Sequence, residues 1–273
     1  MSFHRFKLGN CEITALPAQP SEVVSATDLF PNVDPSEFKA EFDRKPQFFG
    51  ANGNELRFAQ TICAIRINEF LILVDTGIPY ENVEAILLDS IKEAGLSPED
   101  FTHVILTHRD MDHIGGTVLN GQIAFPKARF VIAQSEYEDY QSDSVRTHFP
   151  TYIGPLLSAG VLDVVLDDAE IVPGVRFILT PGHRSGASSV LVNNEFLLLA
   201  DVWHCPSQVS NPDWHIKWDS DVHLASRTRR EVIEMAEEKG WLVAAPHSPV
   251  FGLGWVVRDR EEMIWKPMMS SGN

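Results

Sequence analysis

Alternating apolar and polar residues run up to Leu8, break at Gly9-Asn10 and resume over 11–16. That is the pattern of a β-hairpin closed by a two-residue turn. The stretch 17–34 is rich in Pro and Ser and is expected to be irregular. Asp34-Pro35-Ser36-Glu37 then offers an N-cap, an N1 proline and an acid at N3, which predicts a helix through about Phe42. Gly50-Ala51-Asn52-Gly53-Asn54 reads as a turn before a strand pair over 57–67 and 70–74. From there strands and helices alternate. A helix is predicted over 82–94, ending at Gly95, and Ser97-Pro98-Glu99-Asp100 caps a short turn. Apolar runs at 103–106, 129–133, 161–166, 175–179, 188–192 and 196–200 read as strands, with a helical stretch from Ser135. The clearest helix is 221–239, with Leu224, Thr228, Val232, Met235 and Ala236 on one face and Gly240 at its end. A last strand covers 241–245. Strands interspersed with helices imply an α/β layered fold. With no repeat and no Gly/Ser linker, 1–273 reads as one domain.

Charge narrows the partners. The 38 acidic residues outnumber the 22 basic ones, for a formal charge of −16 at pH 7. Such a chain repels phosphate backbones and anionic membrane surfaces, so neither nucleic acid nor membrane is an expected partner. The apolar runs at 70–74 and 196–200 are far too short to span a bilayer. Three scattered cysteines, Cys11, Cys63 and Cys205, indicate neither a disulfide framework nor a zinc finger. The start, Met-Ser-Phe-His-Arg-Phe-Lys, has no long apolar run, and a cytoplasmic address is the expectation.

The candidate chemistry centres on Thr107-His108-Arg109-Asp110-Met111-Asp112-His113-Ile114-Gly115-Gly116. It leaves the carboxyl end of a buried-type strand and places His108, Asp110, Asp112 and His113 within six positions. Alternate side chains of an extended segment share a side, so His108 and Asp110 can converge on one ion. Asp112 and His113 follow as the chain turns and can face a second. Gly115 and Gly116 are expected to let the backbone pass close under the ions and start a helix. His183, Asp201 and His247 each fall just past the end of a predicted strand, where functional groups are commonly mounted in such folds.

With these residues in place, the sequence resembles the metallo-β-lactamase superfamily from about residue 57 onward. Leu73-Val74-Asp75-Thr76-Gly77 resembles its early Asp-Thr-Gly strand end, and residues 107–116 resemble its HxHxDH loop. His183, Asp201 and His247 match its later ligand positions in order. The resemblance implies a four-layer αββα sandwich with two metals at one edge of the sheets. It puts His108, Asp110 and His183 on the first metal, and Asp112, His113 and His247 on the second, with Asp201 bridging. Asp75 would orient the ligands from behind. One position departs from the pattern: Asp110 stands where the family usually has histidine. A carboxylate there adds a negative charge, which favours iron or manganese over zinc at that site. Flavodiiron proteins of the superfamily carry Glu at this place.

Two divalent ions close together make hydroxide available near pH 7 from a bridging water. Asp112 or Asp201 could relay the proton. The expected reaction is cleavage of a small, largely uncharged ester or lactone, with two zinc ions the first expectation. A β-lactamase, thioesterase or phosphotriesterase in the same fold is the alternative, and Asp110 alone suggests a di-iron oxidoreductase. His204 lies where superfamily lactonases carry a tyrosine thought to polarise the carbonyl. His247-Ser248-Pro249-Val250-Phe251-Gly252-Leu253-Gly254 resembles the HxPxxGLG ending of lactonase and methyl-parathion-hydrolase relatives. Phe48, Phe49, Trp203 and Phe251 are expected to form an apolar wall above the metals. Residues 17–54 read as a lid over the site or a dimerisation segment, which leaves a homodimer open.

Overall fold

The computed structural model describes residues 3–51, 53–78, 86–141 and 148–268. Its first sheet opens with the hairpin of β1 (His4–Leu8) and β2 (Cys11–Ser25), closed at the pair Leu8 and Cys11. β3 (Glu55–Ile67), β4 (Phe70–Val74) and β5 (His103–Leu106) follow. After a two-stranded ribbon of β6 (Val118–Leu119) and β7 (Gln122–Ile123) come β8 (Arg129–Ala133) and β9 (Leu162–Val165). The sheet order is β1-β2-β3-β4-β5-β8-β9. The second sheet runs in chain order: β10 (Glu170–Val172), β11 (Val175–Leu179), β12 (Ser188–Val192), β13 (Phe196–Leu198), β14 (Leu242–Ala244), β15 (Leu253–Asp259) and β16 (Glu262–Pro267).

Strands buried on both faces lose the apolar/polar alternation but keep its geometry. In β4, Leu71 and Leu73 face outward to one core while Ile72 and Val74 face the other sheet. Val104 and Leu106 of β5 divide from Ile105 in the same way. The inter-sheet core joins Ile13, Ile65 and Val131 of the first sheet to Phe177, Val190 and Phe196 of the second. The remaining layers are helical. α1 (Ala26–Leu29) and α2 (Pro35–Arg44) cover the second sheet; α3 (Ile86–Glu93) covers the first. α4 (Met111–Ile114) is a single turn at the sheet edge, and α5 (Gln134–Tyr140) and α6 (Gly154–Ser158) add to the first layer. α7 (Ser207–Ser210) precedes the long α8 (Val222–Lys239), which packs Val232, Ile233 and Ala236 on the second sheet. The architecture is the αββα sandwich expected from the sequence.

Capping follows the sequence closely. Asp34 and Glu37 form the expected capping box of α2, and Asp221 caps α8 while Gly240 ends it at φ 64°. One expectation is corrected. Residues 17–34 are not irregular throughout, because β2 continues to Ser25, with register shifts between Pro17 and Glu22 that accommodate the prolines. The segment 17–54 thus supplies part of the first sheet and one helical layer. The helix expected over 82–94 is described from Ile86 to Glu93; 82–85 lie outside the described residues.

The site owes its position to strand direction. β4, β5 and β8 are mutually parallel, so Asp75 and the 107–113 loop emerge at the same edge. β11 and β13 each pair antiparallel with β12, and β13 is parallel to β14. Residues 183, 201 and 247 therefore leave the second sheet at one edge. Backbone bonds from Ser188 N–H to Thr107 C=O (3.1 Å) and Thr61 N–H to Pro246 C=O (2.9 Å) join the two edges there.

Candidate metal centre and active site

Four histidines aim Nε2 inward because something fixes each Nδ1. Thr107 has one hydroxyl proton and gives it to Asp75 Oδ2 (2.8 Å), so its oxygen accepts from His108 Nδ1–H (3.0 Å). His113 Nδ1–H donates to Asp75 Oδ2 (2.7 Å), His183 Nδ1–H to Asp219 Oδ1 (3.0 Å), and His247 Nδ1–H to the Ala59 carbonyl (3.2 Å). This arrangement fixes the tautomer that leaves Nε2 as a ligand atom.

Asp201 stands between two groups of these atoms. Its Oδ2 lies 3.7 Å from His108 Nε2 and 3.5 Å from His183 Nε2; its Oδ1 lies 3.4 Å from His113 Nε2 and 3.3 Å from His247 Nε2. Asp110 Oδ2 joins the first group, 3.1 Å from His183 Nε2. Asp112 Oδ2 joins the second, 3.4 Å from His247 Nε2. The two sets are those expected from the sequence, with Asp201 presenting one oxygen to each.

Buried His108 Nε2, His113 Nε2 and Asp201 Oδ1 have no hydrogen-bond partner among the described residues. Each such atom costs about 1–3 kcal/mol if left so. Cations between the two sets would satisfy all three, and two nitrogen–oxygen sets joined by one carboxylate fit a pair of divalent ions.

Electrostatics agree. Burial works against a charge on His113, but the Asp201, Asp112 and Asp75 carboxylates outweigh it and hold its pKa well above the ordinary histidine value. His183 is buried too, yet bonds to Asp110 and Asp219 bring it up to about 9. His247 is raised by Asp201 and Asp112 against burial. The metal-free protein therefore holds a second proton on His183 at pH 7, and metal must displace it. Binding is expected to release protons and to tighten as pH rises from neutral, levelling above about 9. Calorimetric titration in buffers of differing ionisation enthalpy measures this; no net proton release would contradict it.

Asp75 is buried at φ 68° and, besides His113 and the Thr107 hydroxyl, accepts the Thr107 N–H at Oδ1 (2.8 Å). Thr76 N–H donates to the His113 carbonyl (2.7 Å), locking the next turn. Gly116 is required by packing: a Cβ there would meet the Thr76 carbonyl oxygen at 2.1 Å. A helical turn already begins at Met111, and the glycine pair opens a short 3-10 turn, Gly115–Thr117, directly after it.

Several supports carry no motif. Arg184 forks onto Asp110. Asp219 holds His183 and lies 3.5 Å from the buried Arg229, which also donates to the Val202 carbonyl. Gln60 donates to the Asp112 carbonyl, and Glu136 accepts the Arg109 N–H at 2.7 Å. Burial, against the pull of Arg109, lifts Glu136 to about 7.

A cavity of about 690 Å³ opens over the centre. Asp110, Asp112, His183, Asp201, His204 and His247 line it, together with the apolar side chains of Phe58, Ile78, Met111 and Trp218. His204 Nε2 lies 3.1 Å from Asp201 Oδ2, its ring is parallel to that of His247, and burial holds its pKa below the ordinary value. The aromatic wall expected from the sequence is placed elsewhere. Phe48, Phe49 and Trp203 are 2%, 1% and 0% exposed and belong to the core between the second sheet and its helices. Phe251 packs at the inter-sheet core beside His4. Trp203→Ala is expected to cost about 3–5 kcal/mol of stability, with KM unchanged. Denaturant unfolding alongside kinetics tests this, and a raised KM at full stability would return Trp203 to the cavity.

An αββα sandwich with two histidine–carboxylate sets around a shared aspartate defines a binuclear metallohydrolase. Residues 57–247 match the Metallo-beta-lactamase superfamily, and the chain belongs to it. It is 28% identical to an N-acyl homoserine lactonase of Bacillus cereus over 211 residues, 68% of this chain and 80% of the relative. Among solved structures, AidC, a dizinc quorum-quenching lactonase in complex with a product, superposes at TM-score 0.83 with 24% identity and 99% of both chains covered. A hydrolase of the beta-lactamase superfamily, AbOPH, superposes at 0.87 with 22% identity and the same coverage. Among the described residues no helix is long and apolar enough to cross a membrane.

Proposed function

We propose that the protein hydrolyses a small lactone or ester bearing an apolar chain, using two divalent metal ions, zinc first among them. The observation that carries this reading is the doubled ligand set around Asp201, opening into a cavity lined by both polar and apolar side chains. The N-acyl homoserine lactonases among its relatives favour a lactone over other acyl compounds. Bound there, the ions would polarise the carbonyl and lower the pKa of water.

The chain's own residues do the rest. The ring of the substrate lies against Asp112, Asp201 and His204, and its acyl chain runs along Phe58, Ile78, Met111 and Trp218. Asp112, only partly buried, or Asp201 takes the proton released as the nucleophile forms. His204, kept neutral by burial, points its one N–H at Asp201 Oδ2, and would turn it to the carbonyl or leaving oxygen once metal occupies that carboxylate oxygen.

A hydrolysis screen of the metal-loaded protein across N-acyl homoserine lactones, aryl esters, thioesters, phosphotriesters and β-lactams tests the reading. Lactone opening should dominate; β-lactam or phosphotriester cleavage without it would overturn the proposal. His204→Ala should lower kcat by about 10²-fold while two metals remain bound. Unaltered turnover would remove His204 from the chemistry, and loss of a metal would make it a ligand.

A further inference from the structure

We propose that Asp110 and Arg184 form one ligand unit, in which Arg184 cancels the charge of Asp110 and fixes which of its oxygens can reach a metal. The inference rests on the binuclear reading above and adds to it a positioning residue.

Asp110 occupies the N-cap position of α4, where an aspartate ordinarily turns its carboxylate onto the helix N–H groups; here it makes no such bond. Both oxygens instead meet the guanidinium, Arg184 Nε–H donating to Oδ1 (2.6 Å) and Nη2–H to Oδ2 (2.5 Å). This is the bidentate fork that arginine makes and lysine cannot. The guanidinium is itself anchored. Nη1 donates to the carbonyls of His183 (2.7 Å) and Trp218 (2.6 Å) and lies 3.2 Å from Ser220 Oγ. Arg184 is thus braced by the backbone of a neighbouring ligand and by the loop that carries Asp219.

Two consequences follow. The pair is neutral, so the first ligand set carries the same net charge as it would with a histidine at position 110. The extra negative charge expected from the sequence, and with it the argument for iron or manganese, is cancelled on the spot. The fork also occupies one side of each carboxylate oxygen. Only Oδ2, 3.1 Å from His183 Nε2 and 3.9 Å from His108 Nε2, still faces the set. Asp110 is left as a single-atom donor, again as a histidine would be.

The test is metal selectivity rather than turnover. Zn²⁺ and Mn²⁺ are titrated against a chromophoric chelator, and the Co²⁺-substituted protein is examined by visible absorption. Wild type and R184Q, R184K, D110H and D110H/R184L are compared, with circular dichroism reporting the fold. R184Q keeps donors but loses the charge, and should shift preference from Zn²⁺ toward Mn²⁺ by about tenfold with a changed Co²⁺ spectrum. R184K keeps the charge but not the fork; it should weaken both metals about equally, on the order of tenfold. D110H alone places a ligand imidazole against an unpaired guanidinium and should bind poorly, while D110H/R184L should recover zinc affinity. Unchanged selectivity and spectrum in R184Q, or full zinc affinity in D110H alone, overturns the proposal. Wild-type protein that binds no metal would instead defeat the binuclear reading.

Discussion

Asp201→Ala is expected to strip both metal positions at once, leaving fewer than one ion per chain and turnover down by roughly 10³-fold or more. The reason is geometric. Among the described residues, Asp201 is the one carboxylate with an oxygen 3.3–3.7 Å from the inward nitrogens of four histidines, two on each side. Removing any single histidine spares one set; removing Asp201 spares neither. The same change leaves His113 and His247 without the carboxylate that most favours their charged forms. The pKa values of both rings should therefore be lower in the metal-free variant than in the metal-free parent. Elemental analysis measures the first effect and histidine NMR titration the second. A variant that retained two ions would show the sets to be independent.

Asp75→Asn should produce the second-largest loss, although Asp75 lies behind the ligands. Its carboxylate accepts three bonds, from Thr107 N–H, Thr107 O–H and His113 Nδ1–H. Asparagine tolerates the φ of 68° and can still accept from Thr107 N–H, so the turn survives. The amide must then present N–H where two donors already point. Metal affinity is expected to fall 10- to 100-fold, and stability of the metal-free protein by about 1–3 kcal/mol. Chelator competition and urea unfolding give the two numbers. Unchanged affinity would reduce Asp75 to a turn residue.

The elements nearest the site were legible because several signals coincide in them. β4, β5 and β8 are short apolar runs bounded by polar turns, and α2 and α8 announce their ends through Asp34, Asp221 and Gly240. β2 was cut short at Leu16 because Pro17 and Pro20 oppose a strand; the register shifts that admit them depend on β3. The hairpin of β15 and β16 carries no glycine or asparagine at its turn to mark it in the sequence. Their turn places Arg260 at φ 57°, a conformation its residue type does not advertise.

The ligands were legible for a chemical reason: His and Asp crowd where apolar strands end. Their supports were not. Asp219 and Arg184 are ordinary charged residues, and their importance arises from what lies opposite, with Arg184 reaching Asp110 across the seam between the two sheets. Phe48, Phe49 and Trp203 failed in the opposite direction. An aromatic ring looks the same in a sequence whether it lines a cavity or fills a core, and these fill the core.

The ligands of each set come from both sheets: His108, Asp110, Asp112 and His113 from one edge, His183, Asp201 and His247 from the other. Metal is thus a clasp on the seam of the sandwich, holding only the folded chain and so adding to its stability by mass action. A copy that fails to load is more than idle. It is expected to open more readily along that seam, and so to be the more easily cleaved by a protease. On that expectation, resistance of the polypeptide to cleavage and its competence as a catalyst would depend on the same supply of ions.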